Sequence, residues 1–215
     1  MTGPERTRWH LPGVADEVAA AVADLEAALR LEQAPHGLDE WAERALQRAL
    51  AAALRRRHEV ALEVHYPSTV GRKLSHRPRC DLVLSGRGRP LRRGESLPFD
   101  LCPAEEALWL ELKVAHQLRP GGGRDGRYGE QWRRNLVADL RKLATEPLLR
   151  DAALLLIAFS EDEPLLLHDL DSFELLLARH GVLAGFRQVR VLPIRERIGH
   201  HVCGVALWPT VQREA

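Results

Sequence analysis

Residues 151–160, DAALLLIAFS, are polar only at their two ends. The run is about half as long as a membrane-spanning helix, which needs about 20 apolar residues. As a strand it has no wet face. A strand dry on both sides belongs inside a sheet that carries helices on both of its faces.

The rest of the chain supplies matching pieces. Residues 14–31, VADEVAAAVADLEAALRL, place apolar side chains at helical spacing and read as a helix outside the main core, broken by Pro35 and Gly37. Residues 38–57 read as a second helix, with Asp39 as its cap, Leu46, Leu50 and Leu54 on one stripe, and three arginines in the last turn. EVALEVHYP (59–67), CDLVLSG (80–86) and ALWLELKVAH (107–116) read as strands. Residues 130–145 read as a helix with Trp132, Leu136, Leu140 and Leu143 inward, ahead of the apolar strand. A helix at about 169–180 and two strands, FRQVRVLPI and HVCGVALWP, follow. The expected fold class is α/β. A mixed central β-sheet is flanked by helices in the order αβββαβ, with an extra N-terminal helix and C-terminal strands. The expected organisation is an accessory helix over 1–37, a core over 38–160, and a helix and strands over 161–215 that complete the same domain.

Composition enters by exclusion. Against 31 basic residues stand 30 acidic ones, so no global field attracts nucleic acid and any basic footprint is local. Cys80, Cys102 and Cys203 are far apart and form no CxxC pair, which argues against a disulfide framework or a zinc knuckle. The N-terminal MTGPERTRWHLPG has charges and prolines where a signal peptide needs an apolar core. The expectation is a cytoplasmic protein with no membrane partner.

The strand ALWLELKVAH poses the chemical question. Glu111 and Lys113 fall on one side of the pleat, inside a run that includes Trp109, Leu110, Leu112 and Val114. Burying one charge costs several kcal/mol unless it is compensated. If the strands at 80–86 and 107–116 form an antiparallel hairpin, Asp81 lies across from Glu111. Two carboxylates about 4 Å apart repel by about 4 kcal/mol at an effective dielectric of about 20. A shared proton offsets this, and a divalent cation offsets it better; hard oxygen ligands suit magnesium. A lysine beside such a site can orient or deprotonate water and stabilise charge on a phosphate. Glu43, three residues before Leu46, adds a carboxylate on the inward stripe of its helix.

An acid heading one strand, Glu-x-Lys on the next and a glutamate on the preceding helix together resemble the PD-(D/E)XK nuclease superfamily, of restriction-endonuclease-like fold. The similarity covers about residues 38–160. Cys80 stands where the motif's name has proline, and the insertion GRGRPLRRGESLPFDLCPAEE lengthens the spacer from Asp81 to Glu111. The resemblance implies that Asp81, Glu111 and the Leu112 carbonyl hold Mg2+ (or Mn2+) and that Lys113 is the catalytic lysine. It implies that Glu43 supports a second metal or orients Lys113, and that Gln131 is a polar residue near the site. The implied activity is metal-dependent hydrolysis of phosphodiester bonds in DNA.

Residues 119–142 carry seven basic side chains against three acidic ones, and the 87–93 connection adds Arg87, Arg89, Arg92 and Arg93. Arg124, Arg127, Arg133 and Arg134 are therefore the expected nucleic-acid contacts, made to the backbone rather than to bases. A homodimer or a partner protein is compatible with this reading. The competing reading is a catalytically inactive nuclease-like scaffold or binding subunit of a larger complex, in which Asp81, Glu111 and Lys113 form a structural ion-pair cluster. His200 and His201 point opposite ways on a strand and are poor joint metal ligands.

Overall fold

In the computed structural model, which describes residues 9–69, 73, 77–92, 101–121, 123–130 and 134–211, the chain opens with α1 (Leu11–Leu31) and α2 (Glu43–Leu54). Three strands follow, β1 (His58–His65), β2 (Arg79–Gly86) and β3 (Leu108–His116). The single turn α3 (Tyr128–Glu130) and the helix α4 (Leu136–Ala144) lead to β4 (Asp151–Ser160). The chain ends with α5 (Glu163–Arg179), β5 (Gln188–Pro193) and β6 (Val202–Pro209). The strands make one open mixed sheet in the order β1-β2-β3-β4-β6-β5. Only β3 and β4 run parallel; the other neighbours are antiparallel.

The apolar run sits at the centre of this sheet, and its side chains divide by parity. Ala153, Leu155, Ile157 and Phe159 enter the core under α1 and α2, while Leu154, Leu156 and Ala158 enter the core under α4 and α5. β3 divides in the same way. Leu108, Leu110, Leu112 and Val114 face α1 and α2, so Trp109, Glu111, Lys113 and Ala115 face the α4 side. The stripe Leu46, Leu50, Leu54 is fully buried, as its spacing predicts.

Several expectations change. The helix over 14–31 is not outside the core: Val14, Val18 and Val22 are buried, and α1 packs against α2, β5 and β6. Its stripe is legible in sequence, but the need of β5 and β6 for a cover is not. Asp39 does not cap α2, which starts four residues later behind Ala42. It is buried in a turn, where its Oδ2 lies 2.9 Å from His200 Nδ1. His200 Nε2 in turn accepts from the Leu118 N–H at 2.9 Å, so this histidine is a satisfied core residue. The helix expected at 169–180 starts at Glu163, because the Asp162 carboxylate accepts from Leu165 N–H at 2.7 Å. The three cysteines are buried and unpaired. Among the described residues, no helix is long and apolar enough to cross a membrane.

Candidate active site

The site begins where strand pairing stops. β2 and β3 are joined rung by rung at Leu84–Leu108, Val83–Trp109 and Leu82–Leu110, and the described ladder ends there. The next rung would be Asp81 opposite Glu111. The Asp81 carboxylate turns in and accepts the Leu112 N–H at 2.8 Å. The Val114 N–H is taken by Glu43 Oε2 at 3.2 Å, reaching in from the first turn of α2. The Leu112 carbonyl receives the Lys113 ammonium at 2.9 Å, and the Leu110 carbonyl the Cys80 thiol at 3.2 Å. Backbone groups that a continued strand would satisfy are satisfied by the side chains of Asp81, Glu43, Lys113 and Cys80 instead.

The other edge of Asp81 is broken too. Pairing between β1 and β2 steps from Leu62–Leu82 to Val64–Cys80 with no Glu63–Asp81 rung. Glu63 lies in the left-handed region at φ 51°, where a side chain other than glycine is strained. Gln47, buried one turn after Glu43, bridges the gap: its Nε2 donates to the Asp81 carbonyl at 2.9 Å and to Glu63 Oε1 at 3.2 Å.

The charges gather on the α4 side. Lys113 Nζ lies 3.5 Å from Glu43 Oε1, 3.6 Å from Asp139 Oδ2 and 3.8 Å from Asp81 Oδ2. Lys142 Nζ lies 2.7 Å from Glu111 Oε1 and 3.2 Å from Asp139 Oδ1. The Tyr66 hydroxyl donates to the same Glu111 oxygen. Burial raises the Glu111 pKa to about 7, with Lys142 opposing and Asp81 reinforcing the rise. Burial also raises Glu43, against the pull of Lys113. For Lys113, burial favours the neutral amine, but Asp139, Glu43, Asp81 and Glu111 together outweigh it and hold the ammonium above the ordinary lysine value. Lys142 is likewise raised, Glu111 and Asp139 overcoming burial. Four carboxylates thus face two ammonium groups, an excess of two negative charges when all are ionised.

The oxygens that could hold a hard cation are those of Asp81 and Glu111 and the Leu112 carbonyl. Asp81 Oδ1 and Glu111 Oε2 take no donor from the described residues, because each carboxylate uses its other oxygen for protein contacts. Among the described residues, no group of three or more His, Cys, Asp or Glu side chains is arranged to hold a metal by itself.

Of the residues singled out from the sequence, Glu43, Asp81, Glu111, Leu112 and Lys113 come together. Gln131 and Arg133 lie outside the described residues. Arg124, Arg127 and Arg134 are exposed on the segment between β3 and α4, and make no contact with the site acids. Arg87, Arg89 and Arg92 follow the far end of β2, five residues or about 17 Å of strand from Asp81. They do not flank the site, and Arg89 is engaged by Glu106 at 3.1 Å. Sequence reasoning missed Tyr66, Asp139 and Lys142. One signal was available: the chain has 28 arginines and three lysines, Lys73, Lys113 and Lys142, and two of the three stand here.

A cleft of about 80 Å³ opens over Lys113, between the first turns of α2 and α4, lined by Glu43, Lys113, Val114, Asn135 and Leu136 among others. Comparison with family models, curated proteins and solved structures found no match.

Proposed function

We propose that this protein is a metal-dependent nuclease of the PD-(D/E)XK type that hydrolyses phosphodiester bonds in DNA. The observation that carries the reading is the parted ladder. Asp81, Glu111, the Leu112 carbonyl and Lys113 meet where β2 leaves β3, and Glu43 enters through the same gap. The donor set fits a hard divalent cation in kind: carboxylate and carbonyl oxygens, with one oxygen each of Asp81 and Glu111 uncommitted, in a site with excess negative charge.

Asp81 and Glu111, with the Leu112 carbonyl, would hold Mg2+ or Mn2+, which supplies charge to the scissile phosphate and lowers the pKa of water. Lys113 is held protonated by its carboxylate neighbours. Its task is to donate hydrogen bonds and positive charge to a phosphoryl oxygen or to the attacking water. Glu43 and Asp139 hold the ammonium from two sides. Arg124, Arg127 and Arg134 offer charge to the phosphate backbone beyond it and carry no sequence information.

One observation favours the scaffold reading instead. Each of the four carboxylates already meets an ammonium, as in a structural ion cluster. Cleavage of plasmid and single-stranded DNA separates the two. The nuclease reading expects activity that requires Mg2+ or Mn2+ and falls at least ~100-fold in Lys113→Met and in Asp81→Asn, with the thermal transition of both variants still cooperative. A folded wild type that cleaves neither DNA with either cation sides with the scaffold.

A further inference from the structure

Lys142 stands on α4 outside any part of the motif that marks the site. Its ammonium takes Glu111 Oε1 at 2.7 Å and Asp139 Oδ1 at 3.2 Å, and lies 5.4 Å from the centre of the Tyr66 ring. Tyr66 donates to that same Oε1. Two donors on one oxygen fix the carboxylate and leave Oε2 as its uncommitted end. One of these donors is charged and the other is neutral, so their effects on a cation at Oε2 differ in sign. A protein that uses arginine at 28 of 31 basic positions has a lysine here. Arginine would clamp a carboxylate with a rigid bidentate fork; lysine is a compact point charge on a flexible stem that can swing away.

We propose that Lys142 is the site's built-in counter-ion, competing with a divalent cation for the Glu111 carboxylate, while Tyr66 positions that carboxylate for the cation. The inference rests on the cation-site reading above. Lys142 offsets one charge of the acid cluster, so its removal increases the cluster's demand for a cation. The repulsion between an ammonium and a dication a few ångströms apart exceeds the worth of one orienting hydrogen bond. Losing Lys142 therefore tightens cation binding. Losing the Tyr66 hydroxyl removes orientation without changing charge, and binding weakens.

The test is Mn2+ affinity of the full chain, read from the electron paramagnetic resonance of free Mn2+ at pH 8 and fixed ionic strength. Lys142→Met is expected to bind Mn2+ at least ~10-fold more tightly than wild type, Lys142→Arg more weakly than wild type because its fork does not swing away, and Tyr66→Phe ~10-fold more weakly. A purely structural role for Lys142 would weaken binding in both Lys142→Met and Tyr66→Phe, so equal or weaker binding by Lys142→Met overturns the proposal. If wild type binds Mn2+ and Asp81→Asn does not, that failure belongs to Lys142 alone. If wild type and Lys142→Met are folded and neither binds Mn2+, the cation site itself is refuted and the proposal falls with it. Should Lys142→Met not fold, the wild type still decides. With three lysines, the ¹⁵N ammonium signals are separable, and Lys142 Nζ must shift as Mg2+ is titrated in; a signal that stays fixed while Mg2+ binds refutes the competition.

Discussion

Replacing Glu111 by glutamine probes the electrostatics of the site while keeping its shape. The Glu111 side chain is 3% exposed, and burial, only partly offset by Lys142, lifts its pKa from 4.5 to about 7. The folded protein therefore holds this proton more tightly than the unfolded chain does. The contribution of Glu111 to stability is complete below pH 4.5 and is lost as the pH rises through about 7. At about 1.36 kcal/mol per pH unit, the loss is roughly 3 kcal/mol. Glutamine has no proton to lose. The stability of the wild type minus that of Glu111→Gln is expected to fall by this amount between pH 4.5 and pH 8, and to be flat on either side. Urea unfolding followed by circular dichroism, at fixed ionic strength and with EDTA present, measures it. A difference constant to within about 1 kcal/mol would refute the burial argument. A difference that grows with pH would mean that Lys142 and Tyr66 win over burial, and that the carboxylate titrates below its ordinary value.

Other perturbations follow from the same contacts. Gln47→Leu removes the donor that serves the Asp81 carbonyl and is expected to cost about 1–3 kcal/mol, read by urea unfolding, with a larger proportional loss of DNA cleavage than of stability. Asp39→Ala leaves the fully buried His200 without its Nδ1 partner; thermal unfolding is expected to show a loss of about 1–3 kcal/mol, and less than ~0.5 kcal/mol would contradict the pairing. Gly204→Ala places a Cβ 2.6 Å from Leu166 Cδ2, where β6 passes under α5; the overpacking is expected to cost about 1–3 kcal/mol in the same assay.

How far the sequence announces this structure depends on the range of the interaction. Alternation and apolar runs reveal β1 to β4, because side-chain period is a local property of a strand. Glu43, Asp81, Glu111 and Lys113 are legible for the same reason: each breaks the pattern of its own element. Asp139 and Lys142 break nothing. Three residues apart on an amphipathic helix, they look like a solvated face, and only the descent of α4 onto β3 turns them inward. The missing rung between Glu63 of β1 and Asp81 of β2 is equally hidden. It depends on the left-handed backbone at Glu63 and on a bridge from Gln47, two residues that touch across 16 positions of chain. The arginines after β2 mislead because nearness in sequence to the Glu-x-Lys strand is not nearness to the end of it where the acids gather.

The cluster is poorly explained as a device for stability. A structural ion network is best balanced, yet here four carboxylates answer to two ammonium groups, and two of the acids have raised pKa values as a result of burial. Apolar side chains of similar volume are often as stabilising as buried ions, or more so. The backbone is also disfavoured at the same place. Asp81 lacks a strand rung on either side, and the residue facing it across β1 sits in a left-handed conformation, a strain of order 1–3 kcal/mol. Continuing the ladder would pair Leu112 with Cys80 and require none of these side chains. Excess charge, broken pairing and strain at a single point are costs that packing does not recover, and the cation and phosphate proposed above are the kind of ligand that would.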